Sequence, residues 1–239
     1  MREMYKEIGA LVFIVLLSLS LFTVMPRNYP HVVSYKYALE AENLVKTPEN
    51  TEPFYQLTIS AYYLLGGGAT DFDRGLFHFV VMNLPVALGL VSVVALYLAV
   101  RVRLGVVPGL FASVFLASSP LFLLNSLQGV YAPEIMSVAL FSVAIALFVL
   151  GHMIKNVFAK AGLAFLAGLL LGYNMVVTEA GALLAGVVIA STAVQFLYYV
   201  KEGKPFVYGV KLVALVAPIL FFVPSAKFAD LSQQMSGAG

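Results

Sequence analysis

Long apolar runs separated by short polar connections dominate the hydropathy pattern of this chain. Each approaches the roughly 20 residues that a helix needs to cross about 30 Å of hydrocarbon. The runs fall at residues 8–25, 77–100, 105–124, 134–153, 160–177, 179–200 and 206–224. The pattern therefore predicts an all-α membrane protein of about seven transmembrane helices. We expect residues 1–239 to form a single transmembrane domain, with residues 225–239 as a short tail.

One polar stretch, residues 26–76, interrupts the apolar runs after the first of them. Residues 34–46 within it show helical spacing, with Tyr37, Ala41 and Leu44 on one stripe. Residues 53–65 are rich in tyrosine and leucine, a composition that favours the membrane interface. We therefore expect a long first loop with short interfacial helices, held by the membrane surface, by the bundle of spans or by a partner protein.

Basic residues alternate between the short connections, and Lys and Arg resist translocation across the membrane. The connections 125–133 and 177–178 contain neither residue. The connections between spans two and three, four and five, and six and seven contain Arg101, Arg103, Lys155, Lys160, Lys201 and Lys204. This asymmetry predicts a cell-membrane protein with a cytoplasmic N-terminus and an extracytoplasmic C-terminus. The loop 26–76 and the turns that precede Glu134 and Glu179 then share the extracytoplasmic face.

Composition excludes several other classes of protein. Hydrophobic residues make up 61% of the chain and charged residues 11%, whereas soluble domains carry roughly a quarter charged residues. The chain has no cysteine, which excludes disulfides and thiolate metal sites. Its net charge of +2 comes from dispersed basic residues, so no nucleic-acid partner is expected. Close helix packing is predicted by glycines on the fifth and sixth spans, at Gly162, Gly168, Gly172, Gly181 and Gly186.

Two carboxylates begin predicted spans, and a carboxylate at the membrane boundary needs an explanation. Glu134 opens the fourth span and Glu179 opens the sixth. In one interpretation, each acid interacts with the positive end of its helix dipole and with the unpaired N–H groups there. In the other, both face a shared external cavity and bind a cation or a polar head group. The sequence leaves both interpretations open.

The first loop carries further candidate ligands. Asp71 and Asp73 have a spacing that lets two carboxylates hold one hard cation. Because they directly precede Arg74 and a helix start, a helix cap with a local ion pair is the simpler interpretation. His31 lies beside Tyr29, where placement in the membrane interface explains it better than metal ligation does.

The order of several short motifs resembles a known enzyme family. Ser119-Pro120 precedes a segment that runs from Asn125 through Gly129 to Glu134. This segment is similar to the Gly-x-x-Asp-x-Glu region of oligosaccharyltransferase catalytic subunits, in which Gly129 and Glu134 match the glycine and the glutamate. These subunits are multi-span glycosyltransferases of the C type, which take sugars from polyprenyl-phosphate carriers. The resemblance implies the N-terminal membrane part of such a protein, with one span, a long external loop and further spans.

Three further stretches agree with this resemblance, which covers about residues 8–200. They are residues 83–98, residues 168–181, which resemble a glycine-rich span that ends in Thr-Trp-x-Gly, and residues 29–37, which resemble Asp-Pro-x-x-x-Tyr. The departures concern the catalytic positions. Tyr29 and Ala132 stand where the family has carboxylates, and Asn125 stands where it has arginine. The chain has no tryptophan, so the Trp-rich acceptor motif of the family's soluble domain is absent from it.

We therefore interpret the chain as a shortened, non-catalytic relative that binds a partner or a polyprenyl-phosphate-linked glycan. Membrane lipid and other membrane protein subunits are the expected partners. The candidate ligand-binding residues are Tyr29, His31, Tyr35, Asn125, Gly129, Tyr131 and Glu179.

Two alternatives stay open. In the first, the chain is an active C-type glycosyltransferase in which Glu134 is catalytic together with an acid of the first loop. Mn²⁺ or Mg²⁺ would be needed only in that case, with Asp71, Asp73 and Glu134 as weak candidate ligands. In the second alternative, the chain is a structural transmembrane subunit of an unrelated membrane complex.

Overall fold

The fold is a bundle of helices, seen in a computed structural model that describes residues 2–23, 32–46, 53–68, 72–201 and 208–222. The helices are α1 (Arg2–Thr23), α2 (Val32–Lys46), α3 (Pro53–Leu64), α4 (Arg74–Leu104), α5 (Val106–Ser118), α6 (Pro120–Ser126), α7 (Glu134–Leu150), α8 (Val157–Val177), α9 (Glu179–Lys201) and α10 (Tyr208–Phe222). Each predicted span coincides with one or two of these helices, which confirms the all-α membrane fold.

Four of the described helices, α1, α4, α8 and α9, are long and apolar enough to cross a membrane. The bent pair of α5 and α6 makes a fifth span if the two are counted together. The helices α7 and α10 are apolar but shorter. The count of seven spans therefore stays a prediction.

The predicted span at 105–124 is not one straight helix. The chain bends by 69° between α5 and α6. Pro120 at the first position of α6 has no N–H to continue the ladder, and its ring disfavours a helical residue before it. Ser119 is accordingly extended, with φ −62° and ψ 125°. Proline thus ends one helix and starts the next.

The 31-residue helix α4 is the centre of the bundle, with α1, α3, α5 and α7 packed around it. Helix α7 in turn packs against α8, and α8 packs against α9. A Cβ at Gly168 would lie 2.3 Å from Leu215 O, and one at Gly172 would lie 2.4 Å from Phe222 Cδ2, so both glycines allow α10 to approach α8 closely.

Not every glycine of these spans serves close packing. A Cβ at Gly181 would lie 2.1 Å from Asn174 O, which confirms the predicted close approach at this position. For Gly162 and Gly186 the prediction is wrong within the described part of the chain, because a Cβ there would meet nothing within 4 Å.

The helices α2 and α3 of the first loop pack on the bundle. The side chains of Phe54, Tyr55, Thr58 and Tyr62 on α3 are buried, and α3 contacts α2, α4 and α8. Ala41 of α2 is buried in the same core. The bundle of spans is thus one of the supports that the sequence predicts for this loop. We call the end of the bundle that carries α2, α3 and the segment 127–133 the loop end, and the opposite end, with Arg101, Arg103, Lys155, Lys160 and Lys201, the basic end.

Candidate functional site

The segment 127–133, which joins α6 to α7 at the loop end, is held by backbone hydrogen bonds to two helices. Gln128 N donates to Phe22 O of α1 at 2.9 Å, and Gly129 N donates to Met82 O of α4 at 3.1 Å. Gly129 has φ +88°, a conformation that side-chain-bearing residues rarely adopt. Gly129, a predicted ligand-binding residue, thus has a backbone role that requires glycine.

Tyr131 lies inside the core at the loop end and is fully buried. Its ring centroid is 4.6 Å from that of Phe54 on α3. Its hydroxyl forms a hydrogen bond with the Thr58 hydroxyl of the same helix. Tyr131 therefore joins the segment 127–133 to the first loop, and its predicted role in ligand binding would require these contacts to open.

An amide pair at the loop end was not among the predicted site residues. Gln128 Nε2 donates to Asn83 Oδ1 at 3.1 Å, and Asn83 Nδ2 donates to Phe79 O at 2.8 Å. The signal in the sequence was one amide within a predicted span and another in a short turn, but their pairing depends on how α4 packs. Asn125 is half-buried in the last turn of α6, two residues before the segment 127–133.

Glu134 is exposed and is the first residue of α7. The helix dipole favours a carboxylate at this position, as the first interpretation of this residue holds. With 3.6 residues per turn, Glu134 lies about 160° around α7 from Met136. The two side chains therefore leave α7 on nearly opposite sides.

Asp73 caps α4. Its Oδ1 accepts hydrogen bonds from Gly75 N at 2.8 Å and Leu76 N at 3.1 Å, which confirms the predicted capping role. Arg74 pairs with Glu42 of α2, with Nη2 3.5 Å from Oε1. Asp71 lies outside the described residues, so the predicted Asp71–Asp73 pair stays a prediction.

The turn between α8 and α9 meets α7 through hydroxyl groups. Thr178 Oγ1 donates to Ser137 Oγ at 2.9 Å. Asn174 of α8 is fully buried nearby on the same helix, and neither atom of its amide has a hydrogen-bond partner among the described residues. Glu179 begins α9, but its side chain lies outside the described part of the chain.

The remaining predicted site residues are not gathered around Glu134. Tyr35 is 56% exposed on α2 and lines a depression of about 390 Å³ together with Arg74 and His78. Tyr29 and His31 lie outside the described residues.

A divalent cation, which the family resemblance implies for an active enzyme, needs several oxygen ligands. Among the residues that the structure describes, no three His, Asp or Glu side chains come together to hold a metal ion. The described side chains around Glu134 therefore do not fit such an ion.

An apolar groove of about 490 Å³ runs between α3, α4, α7 and α8. On α7 the wall of this groove includes Met136, which lies on the side of that helix opposite Glu134. Polar groups come from α3 and α8. It is lined by Pro53, Gln56, Leu57, Ser60, Leu88, Val91, Met136, Ala139, Leu140, Val143, Leu170 and Tyr173. Sequence reasoning missed this groove because its wall comes from four helices and contains no distinctive motif.

The model of the family described as oligosaccharyl transferase STT3, N-terminal, matches residues 52–237. The fold is similar to that of the archaeal oligosaccharyltransferase AglB from Archaeoglobus fulgidus in complex with an inhibitory peptide and a dolichol-phosphate, with a TM-score of 0.66 and 16% identity over 98% of this chain. It is also similar to the apo form of the Archaeoglobus fulgidus oligosaccharyltransferase, with a TM-score of 0.62 and 18% identity over 94% of this chain.

The matched region is a part of these solved proteins. This chain covers 34% of the length of each of them. No curated protein matches the chain. At these identities the solved structures show a shared fold.

Proposed function

Because this chain belongs to the family of the N-terminal part of the oligosaccharyl transferase STT3, we propose that it binds a polyprenyl-phosphate-linked glycan without transferring the glycan by itself. The observation that carries this proposal is the apolar groove between α3, α4, α7 and α8. A structural relative was solved with a dolichol-phosphate, a lipid of the same chemical class.

The chemistry of the groove suits such a lipid. Leu88, Val91 and Val143 form an apolar wall. An isoprenoid chain, which membrane lipid would otherwise surround, can pack against this wall. Gln56 and Ser60 are exposed on α3 at the loop end, and their amide and hydroxyl groups suit a phosphate and the first sugar. None of the described lining residues is charged, so recognition of the phosphate would rest on neutral donors.

Two observations support binding without transfer. Tyr29 and Ala132 stand where the related enzymes have carboxylates, so a hard cation would lack ligands. Glu134 lies on the side of α7 away from Met136 and the groove. A carrier seated in the groove would therefore not present its reacting bond directly to the Glu134 carboxylate.

The absence of native tryptophan allows a direct binding test. Val91→Trp places one fluorophore at the groove, where the valine is 46% exposed. Val187→Trp is the matched control, since that valine is 64% exposed on α9 and does not line the groove. We expect a polyprenyl phosphate with a spin-labelled chain to quench Val91→Trp at micromolar concentration and to quench Val187→Trp only at higher concentration.

A second variant tests the groove by blocking it. Ser60→Phe fills the opening from α3, and Ser20→Phe on α1 is the control, since both serines are exposed. We expect only Ser60→Phe to abolish the quenching. Equal quenching of the two tryptophan variants would refute the proposal and favour a structural subunit.

The active-enzyme alternative is favoured by one observation, the exposed carboxylate of Glu134 at the start of α7. It predicts that the purified chain transfers glycan from a polyprenyl-phosphate donor to an Asn-x-Ser/Thr peptide. Loss of that transfer in Glu134→Gln, with quenching of Val91→Trp unchanged, would establish catalysis and overturn the non-catalytic part of our proposal.

A further inference from the structure

Lys211 on α10 is buried, with 3% of its surface exposed. Its Nζ lies 2.7 Å from Nδ1 and 2.9 Å from Nε2 of His152, which follows the end of α7. Nζ also donates to Phe148 O at 3.3 Å and stands 3.8 Å from the centroid of the Phe148 ring. His152 Nδ1 is 3.1 Å from the same carbonyl, so a proton on Nδ1 leaves Nε2 to accept from Lys211. These partners provide lone pairs and a ring face but no negative charge.

No carboxylate neutralises this cation within the described chain. The described ion pairs join Lys36 to Glu40, Arg74 to Glu42 and Arg101 to Glu7. Lys211, His152 and Arg103 take part in none of them. Arg103 lines the same opening as His152, the neighbour of Lys211.

A buried cation without a carboxylate beside it is costly, and ionisable groups within membrane segments mark functional sites. Arg101 and Arg103 show the contrast, since they lie two residues apart at the end of α4. Arg101 is neutralised by Glu7 of α1, whereas Arg103 is exposed and pairs with no carboxylate that the structure describes. Among the residues that the structure describes, this cluster therefore has positive charge and no anion beside it.

A cleft of about 710 Å³ opens beside this cluster at the basic end, between α4, α7 and α9. Its polar and charged lining residues are Arg103, His152, Ser191, Gln195 and Tyr198. The rest of the lining is apolar, including Val194, which is 67% exposed. One opening thus combines positive charge, hydrogen-bond donors and an apolar edge.

We propose that this cleft binds the anionic phosphate headgroup of a membrane lipid. A guanidinium such as that of Arg103 holds phosphate oxygens in a bidentate manner. Basic pockets between helices on the cytoplasmic side, which the basic end is predicted to face, recognise anionic lipid headgroups. Tyr198, 59% exposed at the rim, is the residue type that favours the headgroup level. The exposed apolar edge at Val194 would accommodate the beginning of the acyl chains.

The site differs from the apolar groove at the loop end in position and in charge. A headgroup there would contact Arg103 and His152 directly and would act on Lys211 of α10 through His152. The test uses the full chain in detergent with the variant Val194→Trp, and Val187→Trp on the same helix as control. Mixed micelles contain brominated phosphatidylglycerol or brominated phosphatidylcholine, and inorganic phosphate is added as a soluble competitor.

We expect phosphatidylglycerol to quench Val194→Trp at lower concentration than phosphatidylcholine, and Val187→Trp to show no such preference. Arg103→Gln should weaken the preference about fivefold, as expected for one basic residue near an anionic surface. Lys211→Met should also weaken it, because Lys211 acts on the cleft through His152. Lys155→Gln, which removes an exposed charge at the same end, should change it less than about twofold.

Three results would overturn the proposal. Equal quenching by the two lipids would exclude an anion site. An equal effect of Lys155→Gln and Arg103→Gln would indicate general surface charge and no defined cleft. Displacement of phosphatidylglycerol by millimolar inorganic phosphate would assign the site to a soluble anion. If Lys211→Met fails to fold, Arg103→Gln on the exposed end of α4 still decides between these outcomes.

Discussion

The hydroxyl groups of Tyr131 and Thr58 hydrogen-bond each other in the core although the residues lie 73 positions apart in the chain. Thr58 also donates to Phe54 O at 3.1 Å, so Tyr131 is the donor in the pair. The pair joins the segment before α7 to α3, one wall of the apolar groove. This hydrogen bond therefore affects the position of the groove as well as the stability of the fold.

Tyr131→Phe should lower the free energy of unfolding by about 1 kcal/mol, since it removes one hydrogen bond and keeps the ring against Phe54. Tyr131→Ala should cost about 3–5 kcal/mol because it also leaves a cavity. Thermal unfolding in detergent, followed by circular dichroism, measures both effects. Tyr63→Phe on the more exposed side of α3 is the control and should leave the midpoint unchanged.

Gly181 and Gly186 on α9 form a matched pair for a second prediction. Gly181→Ala should destabilise the chain by about 1–3 kcal/mol, because its Cβ would lie 2.1 Å from the Asn174 carbonyl oxygen. Gly186→Ala should be neutral or stabilising by up to about 1 kcal/mol, since alanine favours the helix and has open space there. Equal midpoints for the two variants would contradict the close contact between α8 and α9.

Much of the fold could be predicted because hydrophobic length and helix punctuation are local properties. Pro53 begins α3 and Asp73 caps α4, each at the place that its residue type favours. Pro120 carried an equally local signal for the break at Ser119. The apolar run on both sides of it concealed that signal, because hydropathy does not distinguish one straight span from two bent helices.

The sites were harder to predict because they are formed by contacts between distant segments. Gln128 pairs with Asn83, and Lys211 meets His152, only once α4, α7 and α10 are packed. The groove takes its walls from four helices whose residues are individually ordinary. Short motifs indicated the family through Gly129 and Glu134, but motifs do not report which side of α7 a side chain occupies.

The cap at Asp73 leads to a third prediction, which separates stability from chemistry. Asp73→Ala should cost about 1 kcal/mol, whereas Asp73→Asn should cost little because asparagine caps helices equally well. Hydrogen exchange of the amides at Gly75 and Leu76 should rise in Asp73→Ala alone. Loss of a transfer activity in Asp73→Asn, with normal exchange, would instead assign this carboxylate to catalysis.

Membrane orientation gives the fourth prediction, and the absence of native cysteine makes its test clean. Leu64 at the end of α3 and Phe158 at the start of α8 are both 87% exposed, so their accessibility in the folded chain is matched. Leu64→Cys should react with an impermeant maleimide added to intact cells, and Phe158→Cys should react only after permeabilisation. The reverse pattern would place the basic end outside and contradict the predicted topology.

The last prediction concerns metal binding at the start of α7. We expect the chain to bind Mn²⁺ weakly or not at all in calorimetry at micromolar concentration, because hard cations need several oxygen ligands and no three described His, Asp or Glu side chains come together to hold one. Ala132→Asp with Tyr29→Asp restores carboxylates at both positions where related enzymes have them, and this double variant should bind Mn²⁺ more tightly. Glu134→Gln added to it should remove the gain, whereas Glu42→Gln on α2, already paired with Arg74, should not. Micromolar binding by the unaltered chain would show that other acids complete a metal site, and the active-enzyme alternative would then become the better account.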